Sequence, residues 1–344
     1  KFGVDPDRDC WITNSIICWS WEEGERDRRN RTPTPKEIGY CRPNLIRTVQ
    51  ELKPSTIILL GQSALDSLLG WVWKNNVGNI GQWIGWRVPS IKLNSWICPV
   101  WHPSFVMRTD YGNSGTYDNW QGRKGNEVKE LFFAKHLEAA LKLEGRPWND
   151  SPDFADPQSV KVILDIDLAA KWIRDMTANG RPVAIDYETN MIKPDSEGSR
   201  IVSCAVSDGF VSVSYPWDGE ARKATEELLR SDVLKIGSNI KFEIRWTMKE
   251  FGFRPRKWLI DTMLAAHVLD NREGTHSIKF QAFALLGIDS WDAAVKPFLK
   301  AGGSNSPNKI SDLPLRKLLT YGALDALYEW HVGMKQIEML KGGN

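Results

Sequence analysis

A chain of 344 residues is too long for one ordinary hydrophobic core, and its length suggests two domains. With 42% hydrophobic and 26% charged residues, and no apolar run near the ~20 residues of a membrane span, the composition reads as soluble and globular and argues against membrane insertion. A net charge of +2 does not hold a nucleic acid by itself, so such a partner would need local basic patches and metal ions.

In chain order, residues 11–18 read as a strand and residues 43–52 as a helix. Residues 56–61 are a short apolar run ended by glycine, followed by helical spacing of Ala64, Leu65, Leu68 and Leu69: a buried strand, then a helix. Residues 96–101 give a third strand and residues 127–143 a closing amphipathic helix. Strands alternating with helices predict a parallel α/β layer fold. The Gly-, Asp- and Pro-rich stretch that follows breaks both periods and reads as a linker, 145–159, between domains at 1–144 and 160–344.

The second domain reads as a helix over 168–176, strands over 182–186, 201–206 and 210–215, a helix over 220–229, and a strand over 233–237. Helices over 239–251, 261–269 and 315–340 complete it, with a flexible loop at 301–308. Seventeen tryptophans exceed expectation; most serve packing, and some stand where they could stack on bases. Five cysteines, an odd number without regular spacing, argue against a secreted disulfide scaffold and for a reducing, cytoplasmic setting. Opening at Lys1 without an initiator Met, the chain reads as a piece of something longer.

Asp186 and Glu188 stand two apart at the end of an apolar strand, so extended backbone projects both side chains on one face, where they can share a hard cation. Alone, such a pair is as readily a helix cap or a solvated strand edge. It gains weight from Asn239-Ile240-Lys241-Phe242-Glu243 at the start of a later helix, and from Tyr321 and Asp325 at i and i+4 on one helical face.

With these residues the chain resembles, over residues 160–333, the 3'-5' exonuclease domain of family A DNA polymerases, in the Tyr-bearing branch of the DEDD group. Ile185 to Thr189 matches its first motif, Gly237 to Glu243 its second, and Tyr321 to Asp325 its third, while Asp261-Thr262-Met263 looks like an intermediate segment. The resemblance implies a ribonuclease-H-like fold with a mixed five-stranded sheet, and hydrolysis of phosphodiesters by two Mg or Mn ions. It implies that Asp186 bridges both ions, that Glu188 and Asp325 bind the nucleophile-side ion, and that Glu243 reaches the second. Tyr321 would orient the attacking water, and Asn239 and Phe242 would line the path of the DNA strand. Glu243 departs from the family's Asp by one methylene, and a misplacement near 1 Å costs on the order of a hundredfold in rate. Asp261 reads as the N-cap of the helix that begins at Thr262.

The first half carries Thr13-Asn14, Cys18, residues 31–38 with Cys41, residues 59–64, and His102-Pro103-Ser104-Phe105-Val106-Met107-Arg108. In this order they resemble an iron-sulfur uracil-DNA glycosylase over residues 3–143, which implies a partial three-layer parallel sheet. By that resemblance Asn14 reads a flipped uracil and His102 stabilises the departing base. Cys18 and Cys41 match two of the four thiolates of a [4Fe-4S] centre, the other two being expected before Lys1. A charged insertion at 22–30 separates them, and the Arg-rich run at 26–31 suits phosphate contact or a solvated loop.

The sequence therefore points to a glycosylase-like module ahead of a proofreading exonuclease that acts on single-stranded DNA 3' ends, in a bacterial or phage replicative protein. A polymerase domain would follow in the same chain. Two alternatives stay open: a non-catalytic DNA-binding module with decayed sites, and an RNA-trimming exonuclease.

Overall fold

The computed structural model describes residues 3–23, 28–73, 76–107, 126–303 and 306–342. Residues 24–27 of the charged insertion, with Arg26, lie outside the described residues, as do Arg108 and residues 304–305 of the 301–308 loop. The chain divides into two compact units, Lys1–Asn149 with Gly287–Asp289, and Asp150–Leu286 with Ser290–Asn344. Among the described residues no helix is long and apolar enough to cross a membrane.

In the first unit the strands Thr56–Leu60 and Ser95–Val100 pair in parallel, and Val88–Ser90 adds antiparallel to the second of them. Leu65, Leu68, Leu69, Trp83 and Ile97 are fully buried beside this sheet. Trp83 donates its indole N–H to the Val77 carbonyl at 2.7 Å and meets Trp73 edge-on at 5.1 Å, so these tryptophans pack the interior.

Two local expectations fail here. Residues 11–18 form no strand: Trp11, Ile12 and Ile17 are 70%, 74% and 65% exposed, so their apolar character has no sheet to bury against. The helix expected from residue 43 begins at Pro35 and runs to Leu52, with Pro43 inside it. Its start is fixed by a capping box in which Glu37 N–H donates to Thr34 Oγ1 and Thr34 N–H to Glu37 Oε2. Arg31 grips the same carboxylate through both guanidinium arms, at 2.9 and 2.6 Å, and its hydrogen bonds lead in holding the Glu37 pKa down at about 2.

The second unit runs β1 (Val160–Val162), α1 (Ile166–Asn179), β2 (Val183–Thr189), β3 (Ile201–Ser207), β4 (Ser212–Pro216), α2 (Gly219–Arg230), β5 (Lys235–Gly237), α3 (Lys241–Phe251) and β6 (Trp258–Asp261). It continues with α4 (Thr262–Leu269), α5 (Ile278–Leu286), α6 (Lys296–Leu299) and α7 (Leu315–Leu340). The sheet order is β6-β5-β2-β3-β4-β1, with β3 antiparallel to both β2 and β4 and the outer strands parallel to their neighbours. This is the mixed sheet expected of a ribonuclease-H-like fold, with six strands rather than five. The edge strand β1 pairs through three residues only, too short to show a sequence period.

Side-chain size is sorted between the two faces of this sheet. Val183, Ile185 and Tyr187 of β2, Cys204 and Val206 of β3, and Val213 and Tyr215 of β4 enter one core with Ile173, Leu228 and Trp246. The alternate residues Ala184, Ser203, Ala205, Ser207, Ser212 and Ser214 are buried and small, and they face the long helix α7. There Ser212 donates its hydroxyl to the Ala323 carbonyl at 2.6 Å, and Gly322 is so placed that a Cβ would lie 3.5 Å from Ser214 Oγ and 3.6 Å from Glu188 Cγ. Small residues on both sides let the helix ride close to the sheet.

Candidate active site

The period of two that buries Ile185 and Tyr187 in the core turns Asp186 and Glu188 to the α7 face. Helical spacing brings Tyr321 and Asp325 onto the side of α7 that meets those strands. The result is a convergence: ligand oxygens of Asp186, Glu188 and Asp325 lie within 4.8 Å of one another. They line a cavity of about 250 Å³ with Tyr187, Ser238, Ile278, Lys279, Tyr321 and Glu329.

The electrostatics follow from crowding acids in a poorly solvated place. Burial, then the neighbouring Asp325 charge, pushes the Asp186 carboxyl up to about 7. Burial and the charges of Asp186 and Asp325 raise Glu188 well above the usual carboxylate range. Tyr321 is raised by burial and then by Asp325. Lys279 of α5 opposes them, donating to Asp325 Oδ1 and, at 3.1 Å, to the Tyr321 hydroxyl. Its ammonium also sits 4.5 Å from the Trp291 ring, whose indole N–H donates to Asp325 Oδ1 at 3.0 Å. Asp325 is thus held from two directions.

The second-motif segment is placed differently. Glu243 lies in the first turn of α3, 3% exposed, with its Oε2 buried and without a hydrogen-bond partner. Burial and then Asp186 raise its pKa well above normal, so it is near the acids, but it does not line the cavity. Phe242 packs against the core beside Trp246. Asn239 adopts a left-handed φ of 62°, which delays the helix to Lys241, and Ser238 is the member of this segment that reaches the cavity wall. Asp261 caps α4 as expected, accepting from Met263 and Leu264, and it also accepts from the N–H groups of Asn239 and Ile240.

In the first unit His102 follows strand Ser95–Val100, exposed, with Nδ1 paired to Ser104 Oγ at 2.7 Å and accepting Ser104 N–H. Gly61, at φ +84°, packs against it, a Cβ there falling 2.9 Å from His102 Cβ. Asn14 is exposed in irregular chain. Cys18 and Cys41 are neighbours: the Cys18 and Ile17 N–H groups donate to the Cys41 thiol and lower its pKa against the effect of burial. Two thiols are half of what a four-thiolate cluster requires. Among the described residues no third Cys, His, Asp or Glu forms a metal-binding group with them.

The sequence reading missed Lys279, Trp291, Ser238 and Glu329. Glu329 was legible, standing four residues after Asp325 on the face already marked by Tyr321 and Asp325. Lys279 belongs to a helix whose other residues are apolar except Gln281, and carries no spacing that ties it to distant acids.

Comparison with known proteins accords with this two-part architecture. A model of the uracil DNA glycosylase superfamily matches residues 2–124, and a 3'-5' exonuclease model matches residues 160–336. Over 103 residues, 29% of this chain, the sequence is 30% identical to the type-4 uracil-DNA glycosylase of Pyrobaculum aerophilum, covering 48% of that protein. It is also 30% identical over 103 residues to that of Thermotoga maritima, covering 46% of it. The chain thus spans about half the length of the curated relatives it matches. Similar solved structures include Escherichia coli RNase D, an exoribonuclease involved in structured RNA processing, at 15% identity and TM-score 0.42 over 53% of this chain and 45% of that one. Brucella melitensis NrnC with bound Mg2+ is 17% identical, with TM-score 0.38 over 54% of this chain and 82% of that one.

The acid-lined cavity on a ribonuclease-H-like sheet, joined to a uracil-DNA glycosylase-like module, defines the class: a nuclease with an added glycosylase-like domain. The chain belongs to the 3'-5' exonuclease family, whose model covers just over half of its residues.

Proposed function

We propose that the second unit is a divalent-cation-dependent exonuclease that removes nucleotides from single-stranded DNA 3' ends, in the service of proofreading during replication. The first unit would bring it to DNA as a glycosylase-like module, in the cytoplasm of a bacterial or phage-infected cell, with a polymerase domain of the same full-length chain supplying the ends. The observation that carries the reading is the meeting of Asp186, Glu188 and Asp325 within 4.8 Å, beside Tyr321.

The donor set fits Mg or Mn: all carboxylate oxygen, three side chains from two elements, in a place where their mutual repulsion calls for a cation. When bound, such ions activate a water and stabilise the departing 3'-oxygen. Asp186, facing both Glu188 and Asp325, would bridge the two ions, with Glu188 and Asp325 on the nucleophile side. The Tyr321 hydroxyl would hold the attacking water by a hydrogen bond. Lys279, whose ammonium already meets Tyr321 and Asp325, would offer a positive group to the incoming phosphate.

The test is degradation of a 3'-labelled single strand with Mg or Mn, beside Asp186→Ala. We expect the variant to lose about a thousandfold in rate, several kcal/mol of transition-state stabilisation. Equal degradation by both proteins, or none by either, would remove the enzyme reading. Running DNA and RNA ends in parallel separates proofreading from RNA trimming, and faster loss of RNA would overturn the DNA assignment.

A further inference from the structure

The cavity has a fourth acidic wall residue that the three converging carboxylates do not explain. Glu329 stands on α7 one turn beyond Asp325, is 3% exposed, and lines the same cavity as Asp186, Glu188 and Asp325. Its Oε1 is buried and has no hydrogen-bond partner. The charges that act on it are acidic, Asp186 foremost and then Glu243, Asp325 and Asp261, and together with burial they raise its carboxyl well above the normal range. A buried carboxylate with a free oxygen and acidic neighbours is unfavourable as an anion unless a cation joins it.

The other acids around Asp186 are less available. Asp261 is committed to four backbone N–H groups, at 2.9 to 3.1 Å. Glu243 does not open onto the cavity. We infer that Glu329 is a metal-facing carboxylate that, with Asp186, holds the second divalent cation in this cavity, which Glu243 does not line. This rests on the metal-dependent exonuclease reading above and adds to it a residue on α7.

The test is Mn2+ binding to the full chain, read by electron paramagnetic resonance of free Mn2+ and by calorimetry. Wild type is expected to take two ions, and Glu329→Gln to lose the second or bind it at least about tenfold more weakly. Glu243→Gln is expected to shift the second affinity less than Glu329→Gln does. Thermal unfolding in chelator guards against a folding artefact. There Glu329→Gln should be about as stable as wild type, because the isosteric amide adds no charge beside Asp186, while its Mn2+-induced rise in Tm shrinks. Two ions bound to Glu329→Gln with wild-type affinities would overturn the inference, as would a larger loss in Glu243→Gln. A wild type that binds no Mn2+ would instead sink the exonuclease reading beneath it.

Discussion

Lys279 of α5 donates to Asp325 of α7, so a lysine ammonium already stands against one of the three converging carboxylates. Both side chains are largely buried, and removing one member of such a pair leaves an uncompensated charge. Lys279→Met should therefore lose about 3 kcal/mol of stability in chelator and regain most of it on adding Mg. Urea unfolding with and without the ion measures this. If Mg stabilised variant and wild type equally, Lys279 would have no part in balancing the acids.

The Asp186 carboxyl, ordinarily near 3.8, is pushed up to about 7 by burial and Asp325. The folded state thus keeps a proton that the unfolded chain releases, so this contribution is fully present below about pH 3.8 and is lost as pH rises through about 7. Metal-free protein should become less stable across that window, more steeply than Asp186→Asn. Ion binding needs the deprotonated form, so exonuclease rate in fixed Mg should climb over the same range. A wild-type stability profile parallel to that of Asp186→Asn would contradict the assignment.

Tyr321 lies one helical turn before Asp325, with its hydroxyl accepting from Lys279 at 3.1 Å. Tyr321→Phe removes the hydroxyl, and with it a hydrogen bond to Asp325, while keeping all three carboxylates. We expect about a hundredfold lower turnover, from a poorly oriented water, with unchanged Mn2+ affinity. A matching fall in Mn2+ affinity would show that the tyrosine supports the acids rather than the water.

Gly322 separates α7 from Glu188, Ser214 and Ala205, each 3.5 to 3.7 Å from where a Cβ would stand. Gly322→Ala should be tolerated at ordinary contact distance. Gly322→Leu would overpack the layer, losing about 1–3 kcal/mol and weakening Mn2+ binding with it. Calorimetry on both variants checks the contrast, and a leucine variant with full Mn2+ affinity would refute the dependence on spacing.

Much of the site was legible because two periods reveal it. Alternation along Val183–Thr189 sets Asp186 and Glu188 on one face, and the four-residue step from Tyr321 to Asp325 does the same on a helix. Lys279 and Trp291 were hidden because their link to Asp325 is a tertiary contact across tens of residues, with no local trace. Residues 11–18 misled through composition alone: Trp and Ile favour strands, yet these side chains face water. Pro43 misled as a helix start, whereas the Thr34 and Glu37 pair carried the true signal three residues apart.

The sorting of large residues to one face of the sheet and small ones to the other sets the gauge of the acidic pocket. Serines and alanines beneath α7 act as shims, and their thickness decides how far Asp325 stands from Asp186 and Glu188. A lineage could therefore retune its ion preference by exchanging a serine for an alanine or a threonine under the helix, leaving every acid in place.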